Sequence, residues 1–154
     1  AGGRVRGFWV QGSGFTGRNR GLVRKYHMAL KSFRDLKVWQ ESMALVQAVY
    51  SVTREFPEHE RYGLGSQLQR CAVSIPSNIA EGYARQYRKE YLQHLAMAQA
   101  SLAELDTQVE IALRLMYISE ERSAEVAEEI RSLRPQLFAL RRRLSTGQSK
   151  GSSA

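Results

Sequence analysis

Of the residues that most often mark a chemical site this 154-residue chain has few: one cysteine, three histidines and no cluster of either. A lone Cys71 excludes an intramolecular disulfide framework and most structural zinc sites, and its place among apolar residues at helical spacing makes it a small core filler. His27, His59 and His94 have no spacing that brings two of them to one metal. Glu90 and His94 form an i, i+4 pair on one helix, whereas a bundle metal site of the carboxylate type needs Glu-x-x-His pairs on two helices. No glycine-rich phosphate loop follows a strand pattern, and no serine–histidine–aspartate or cysteine–histidine set goes beyond the presence of the letters. Such a chain is expected to carry no cofactor, no metal and no enzymatic activity. Also missing are any apolar run near the ~18 residues of a membrane span and any signal-peptide pattern, so the expected location is cytoplasmic, with no membrane partner.

Acidic side chains are missing from one end of the chain. Residues 1–31 hold seven of the 23 basic side chains and none of the 15 acidic ones, leaving 16 basic against those 15 over residues 32–154. The net charge of +8 is therefore concentrated at one terminus, and the rest is close to neutral. The same stretch contains seven of the 12 glycines and shows no period of 2 or 3.6, so it cannot bury enough apolar surface to offset the entropy of ordering. Residues 1–32 are expected to be a disordered basic segment. Met28 reads as a natural start, which makes the residues before it an extension of the gene start or a cloning remnant. The rival, an organellar targeting peptide, shares the basic, acid-poor composition but not the glycine. Residues 145–154, Ser-Thr-Gly-Gln-Ser-Lys-Gly-Ser-Ser-Ala, are expected to be a flexible polar tail. Residues 33–144 are long enough for one domain with a core.

Those residues carry helical periodicity and no strand alternation, which predicts an all-α fold. From Phe33 to Phe56 two apolar stripes run side by side: Trp39, Met43, Val46, Tyr50 and Thr53, and beside them Val38, Leu45, Val49, Val52 and Phe56. A helix in a monomeric bundle needs one stripe, so the pair predicts that another subunit covers this helix, with Val38 and Val49 as candidate interface residues. Pro57 ends it. The second helix spans Leu64–Ala84, with Leu64, Leu68, Cys71, Ile75 and Ile79 on one face and Pro76 inside the run. A proline there costs an isolated helix about 3 kcal/mol and predicts a bend, offset by packing or by Ser74 and Ser77 hydroxyls recovering the freed carbonyl. The third helix runs from Arg88 to Met116 on a heptad seam that interleaves Leu95, Leu102, Val109 and Met116 with Tyr91, Ala98, Leu105 and Ala112. The fourth follows an N-cap at Ser119 and keeps Val126, Ile130, Leu133, Leu137, Leu140 and Leu144 in phase through Pro135, where a bend or local distortion is expected. The expected architecture is an antiparallel up-down-up-down four-helix bundle with a proline-bent second helix and disordered N- and C-terminal tails.

The chemistry that remains is cationic. Arg85, Arg88 and Lys89 surround the turn between the second and third helices with Tyr83 and Tyr87 interleaved, a set that can hold a phosphate backbone and stack a base. Arg70 lies further back on the second helix, and Arg141, Arg142 and Arg143 form another cluster near the end of the fourth. Ordinary structure also accounts for these residues: Glu81 and Arg85 are an i, i+4 pair, and arginines near a helix C-terminus complement its dipole. A ring of subunits would repeat either cluster around its axis and multiply its field.

Four segments together carry a resemblance: Phe33-Arg-Asp-Leu-Lys-Val-Trp-Gln40, Glu60-Arg-Tyr-Gly-Leu-Gly-Ser-Gln67, Val73-Ser-Ile-Pro-Ser-Asn-Ile-Ala-Glu-Gly82 and Ser101-Leu-Ala-Glu-Leu-Asp-Thr-Gln108. In this order they resemble the bacterial four-helix bundle proteins encoded by intervening sequences of 23S ribosomal RNA genes, the S23 ribosomal protein family, over about Phe33 to Leu144. The resemblance implies an up-down-up-down bundle assembled as a ring-like homopentamer. It implies distant kinship with the accessory proteins of diversity-generating retroelements, which bind nucleic acid and a reverse transcriptase, and it implies no known enzymatic activity. Tyr87 stands where the family often has Ser or Thr three residues before the Glu that opens the third helix, so that helix should start without a capping box. The expected partners are further copies of the chain, RNA or DNA, and a protein such as a reverse transcriptase. The competing expectation is a ring that docks a partner protein without touching nucleic acid, which the balanced charge of residues 32–154 favours.

Overall fold

The computed structural model describes residues 31–146, and among them the chain is helical with no strand. The disorder expected for residues 1–30 and 147–154 lies outside the described residues. A 3₁₀ turn at Phe33–Asp35 precedes α1 (Lys37–Thr53), and a second 3₁₀ turn at Glu58–Glu60 leads to α2 (Leu64–Ala84), α3 (Arg88–Arg114) and α4 (Glu120–Thr146). The fold is the expected all-α arrangement of four helices, with three differences of extent.

The first helix begins later than its apolar pattern. Ser32 Oγ accepts from the Arg34 amide at 3.2 Å and Asp35 Oδ2 from the Ser32 amide at 3.0 Å, a capping box that closes one tight turn, and Leu36 is extended before α1 starts. The third helix stops at Arg114 because Met116 adopts φ 57°. The Tyr117 amide then donates to the Ala112 carbonyl at 2.9 Å and the Met116 amide to Leu113 at 2.9 Å, a Schellman motif with methionine where glycine is usual. The fourth helix runs on through Ser145 and Thr146, expected in the tail, whose hydroxyls bond the Arg142 carbonyl at 2.8 and 3.0 Å. Ser119 caps α4 as expected, its hydroxyl accepting from the Arg122 amide at 3.2 Å, and α3 starts at Tyr87 with no side-chain cap.

α1 packs on α2 and α4, and α3 on α2 and α4, so the four helices close a circuit around one core. Leu45 and Val49 meet Leu68, Ile75 and Ile79 of α2, Leu95, Leu102 and Leu105 of α3, and Leu133, Leu137 and Leu144 of α4 in one cluster of buried side chains. One stripe of α1 faces inward along its whole length, and of the other only Thr53 is buried, with Trp39 and Val46 half-buried at the edge. Val38, Leu45, Val49, Val52 and Phe56 are buried, while Met43 and Tyr50 stay 36% and 40% exposed. Val38 and Val49, expected at a subunit interface, thus belong to the bundle's own core, and a charge at Val49 would unfold the chain.

α2 and α4 continue through Pro76 and Pro135. Pro76 frees the Ala72 carbonyl, and neither serine takes it up as expected: Ser77 Oγ donates to the Val73 carbonyl at 2.8 Å, and Ser74 shares a 2.9 Å hydrogen bond with Ser101 of α3. That bond belongs to a polar seam between α2 and α3. Cys71 Sγ donates to the Ser101 carbonyl at 3.0 Å, and Asn78 bonds Ser74 on one side and His94 Nδ1, at 3.1 Å, on the other. The helices come this close because residue 82 is glycine: a Cβ there would stand 2.7 Å from the Tyr91 ring and 2.9 Å from His94 Cβ.

Opposite consequences follow for the two backbone positions. Gly82→Ala should lower stability by about 1–3 kcal/mol through overpacking, despite alanine's better helix propensity. Met116→Gly should raise it by about 0.5–1 kcal/mol by relieving the left-handed strain. Thermal melts of the two variants check both signs. Burial pushes the Cys71 thiol from its ordinary 9.0 up to about 12, with Glu104 adding to the shift. The folded chain should therefore resist a thiol-specific disulfide reagent at pH 8.5 and react once denatured. An unfolded thiol ionises near 9.0 and the folded one near 12, so this contribution to stability holds below pH 9 and is lost as pH rises towards 12.

Candidate nucleic-acid interface

The cations near the α2–α3 turn divide between surface and interior. Arg85 is the extended residue that ends α2, and it is exposed, as is Lys89 in the first turn of α3. Between them Arg88 is buried, at 6% exposure. It sits three residues before Tyr91 and seven before Leu95, so it occupies the inward face of α3, and that register withdraws it from the cationic surface expected of it. Tyr87 is 40% exposed. Tyr83 is half-buried with its ring 6.5 Å from Phe33, and burial, with Asp35 nearby, holds its phenol above the ordinary value.

Arg85 does not pair with Glu81 as its spacing suggested. Its Nε donates to His94 Nε2 at 3.3 Å, so Nδ1 carries the ring proton and donates to Asn78 Oδ1 at 3.1 Å. Glu81 instead approaches His94 Nδ1 at 3.7 Å. The polar seam of α2 and α3 thus ends at the surface on a cation whose stem is held in place. Arg70 does not join this corner: fifteen residues of helix before Arg85 separate them by about 22 Å.

The second cluster does come to the same end of the bundle. Arg141 Nη1 donates to Gln99 Oε1 of α3 at 3.0 Å, and Leu92, in the first turns of α3, lines one groove with Arg141, Arg142 and Ser145 of α4. Arg142 and Arg143 are exposed. Phe33, before α1, packs its ring on Trp39 at 5.3 Å and faces Tyr83, near the end of α2. One end of the bundle therefore collects residues 31–41, 81–94 and 136–146, which hold nine basic side chains against four acidic ones. Residues 1–30, with six further basic side chains and no acidic one, join the chain at this end. At the other end Phe56 and Tyr117 rings lie 5.7 Å apart, and Glu60 accepts from the Leu64 amide at 2.8 Å and from Tyr117 Oη at 3.1 Å. The amide bond, more than the phenol, holds the Glu60 carboxyl below its usual range.

Sequence reasoning passed over His94 as the partner of Arg85 and Asn78 as the partner of His94, and it left out Phe138. That residue, the one aromatic in Glu120–Thr146, lies off the apolar stripe of α4 and is 56% exposed. An aromatic on a polar helix face was the available signal.

Among the described residues no helix is long and apolar enough to cross a membrane. A sequence profile described as "23S rRNA-intervening sequence protein" matches residues 34–139. The crystal structure of a protein of unknown function from the S23 ribosomal protein family of Bacteroides thetaiotaomicron VPI-5482 superposes with a TM-score of 0.64 at 19% sequence identity, over 68% of this chain and 95% of that one. No curated protein matches.

Proposed function

The chain belongs to the 23S rRNA-intervening sequence protein family, and we propose that it is a non-enzymatic, homo-oligomeric accessory or scaffold protein of the cytoplasm that holds nucleic acid at the cationic end of its bundle. The observation that carries this reading is the excess of basic over acidic side chains at that one end, nine against four with eight of the nine exposed, although residues 32–154 as a whole are nearly neutral. Arg85 and Lys89 stand outward at the α2–α3 turn beside Tyr87, and Arg143 adds a third exposed cation from α4. Phosphates would meet these guanidinium and ammonium groups, and the partly exposed Tyr87 ring offers a face for a base.

Self-assembly is the second part of the proposal. Met43 and Tyr50 remain open on a helix face that continues through half-buried Trp39 and Val46, a stripe that a second copy would cover. Five copies in a ring is the number the family resemblance implies, and a ring repeats the cationic end around its axis. A partner protein, of which a reverse transcriptase is the example the resemblance offers, would complete the accessory role.

Light scattering should give a mass several times 17.5 kDa. Met43→Glu with Tyr50→Glu should reduce it to one chain while the circular dichroism stays helical; a wild-type monomer at every concentration would remove the assembly proposal. For nucleic acid the test is anisotropy of labelled oligouridine at several salt concentrations. Log affinity should fall with log salt at about −0.7 per phosphate neutralised, and Arg85→Ala and Lys89→Ala should each flatten that slope by up to this amount. Arg88→Ala should instead lower the melting temperature. If binding disappears in a chain starting at Met28 that still folds, it belongs to the basic N-terminal segment and the bundle end is not the site.

A further inference from the structure

Between the first turns of α3 and the last turns of α4 lies a groove of about 630 Å³. Leu92, Pro135, Phe138 and Ala139 form its apolar part, and Arg141 and Arg142 its charged part. Among the described residues no acidic side chain lines it. Phe138, Arg141 and Arg142 stand at i, i+3 and i+4 on one face of α4, so the exposed ring and the two guanidinium groups look the same way. Arg141 is steadied by Gln99, while the Arg142 guanidinium has no hydrogen-bond or ion-pair partner among the described residues.

The α4 wall of the groove is graded in polarity, while Leu92 of α3 stands at its Ser145 end. From Pro135 to Ser145 α4 rises about 15 Å, apolar over the first half and cationic over the second. The nearest cation on the apolar side, Arg134, is committed to Asp106 of α3. We propose that this groove docks a short acidic amphipathic helix from a partner protein, its apolar side chains on Phe138, Pro135 and Ala139 and its carboxylates on Arg141 and Arg142. Such a ligand matches the gradient, because one of its faces is apolar and its charge can be gathered at one end. A nucleic acid matches it less well: its charge is uniform, so the phosphates over the apolar half would meet no cation. Residues 147–154 of the chain itself offer Lys150, no acidic side chain and no large apolar one, and so complement neither half. The inference shares Arg141 and Arg142 with the charge count behind the nucleic-acid reading, but that reading is tested at Arg85 and Lys89, so the two fail separately.

The test titrates the full chain into labelled peptides of about 14 residues, long enough as helices to cover the groove. One carries leucines at i, i+3, i+4 and i+7 with glutamates between them; the other has lysine for every glutamate. The glutamate peptide should bind at least tenfold more tightly than the lysine peptide. Phe138→Ser should weaken it about tenfold, and Arg141→Glu with Arg142→Glu should transfer the preference to the lysine peptide, a charge swap that general stickiness does not produce. All three positions are exposed, and melting curves verify that the variants fold. The proposal is overturned if neither peptide binds, if Phe138→Ser leaves binding unchanged, or if oligouridine displaces the glutamate peptide in a Phe138-dependent way. It also falls if Phe138→Ser lowers the mass of the unliganded protein, which would mean that another subunit covers the groove.

Discussion

The approach of α2 to α3 at Gly82 governs much of what the surface of this protein can present. With no Cβ at that position, the Tyr91 ring and the His94 stem settle against the α2 backbone, and the turn that follows has little freedom. His94 is then placed to receive Arg85, which fixes one cation at the corner of the bundle. Tyr91 faces inward, and Arg88, one turn earlier on the same side of α3, is carried inward with it. Which of three neighbouring cations meets solvent is decided by packing several ångströms below them. Electrostatics at this corner is an outcome of the core.

The same seam shows how polar groups can be accommodated between helices without loss of register. Cys71, Ser74, Asn78, Ser101 and His94 link through hydrogen bonds between 2.9 and 3.1 Å, three of them crossing between the helices and one, Asn78 to Ser74, lying within α2. Each of the three crossing bonds exists only at one axial offset of α2 against α3, whereas leucines and isoleucines tolerate small slips. The apolar side chains hold the bundle together, and these few polar contacts select how it is held.

Much of this was legible in the residues. The bounds of α2 followed from the four-residue recurrence of its apolar face and the glycine before it, and the heptad of α3 marked its inward side. Arg88 was legible too, since it lies in phase with Tyr91, Leu95 and Ala98; its charge drew the reading outward where its register pointed inward. The two stripes of α1 were visible, but both are apolar, and nothing within one helix tells which faces the core. Val49 and Tyr50 differ by a rotation of 100° that only the neighbours decide. The Arg85–His94 contact and the Phe138 groove were out of reach for a related reason. Each joins residues from two helices, and their offset depends on the close approach at Gly82 and on the lengths of the turns.

Lys31 and Thr146, the first and last described residues, leave the bundle at the same end, near Tyr83 and Leu92 respectively. The order in which the chain threads its four helices is therefore only one of several compatible with the same packing. A circular permutant that joins these two points by a short linker and opens at the exposed Met116 tip would keep every helix contact described above. In such a molecule the cationic end would carry a covalent loop in place of two free ends, and the chain would begin and finish at the opposite pole.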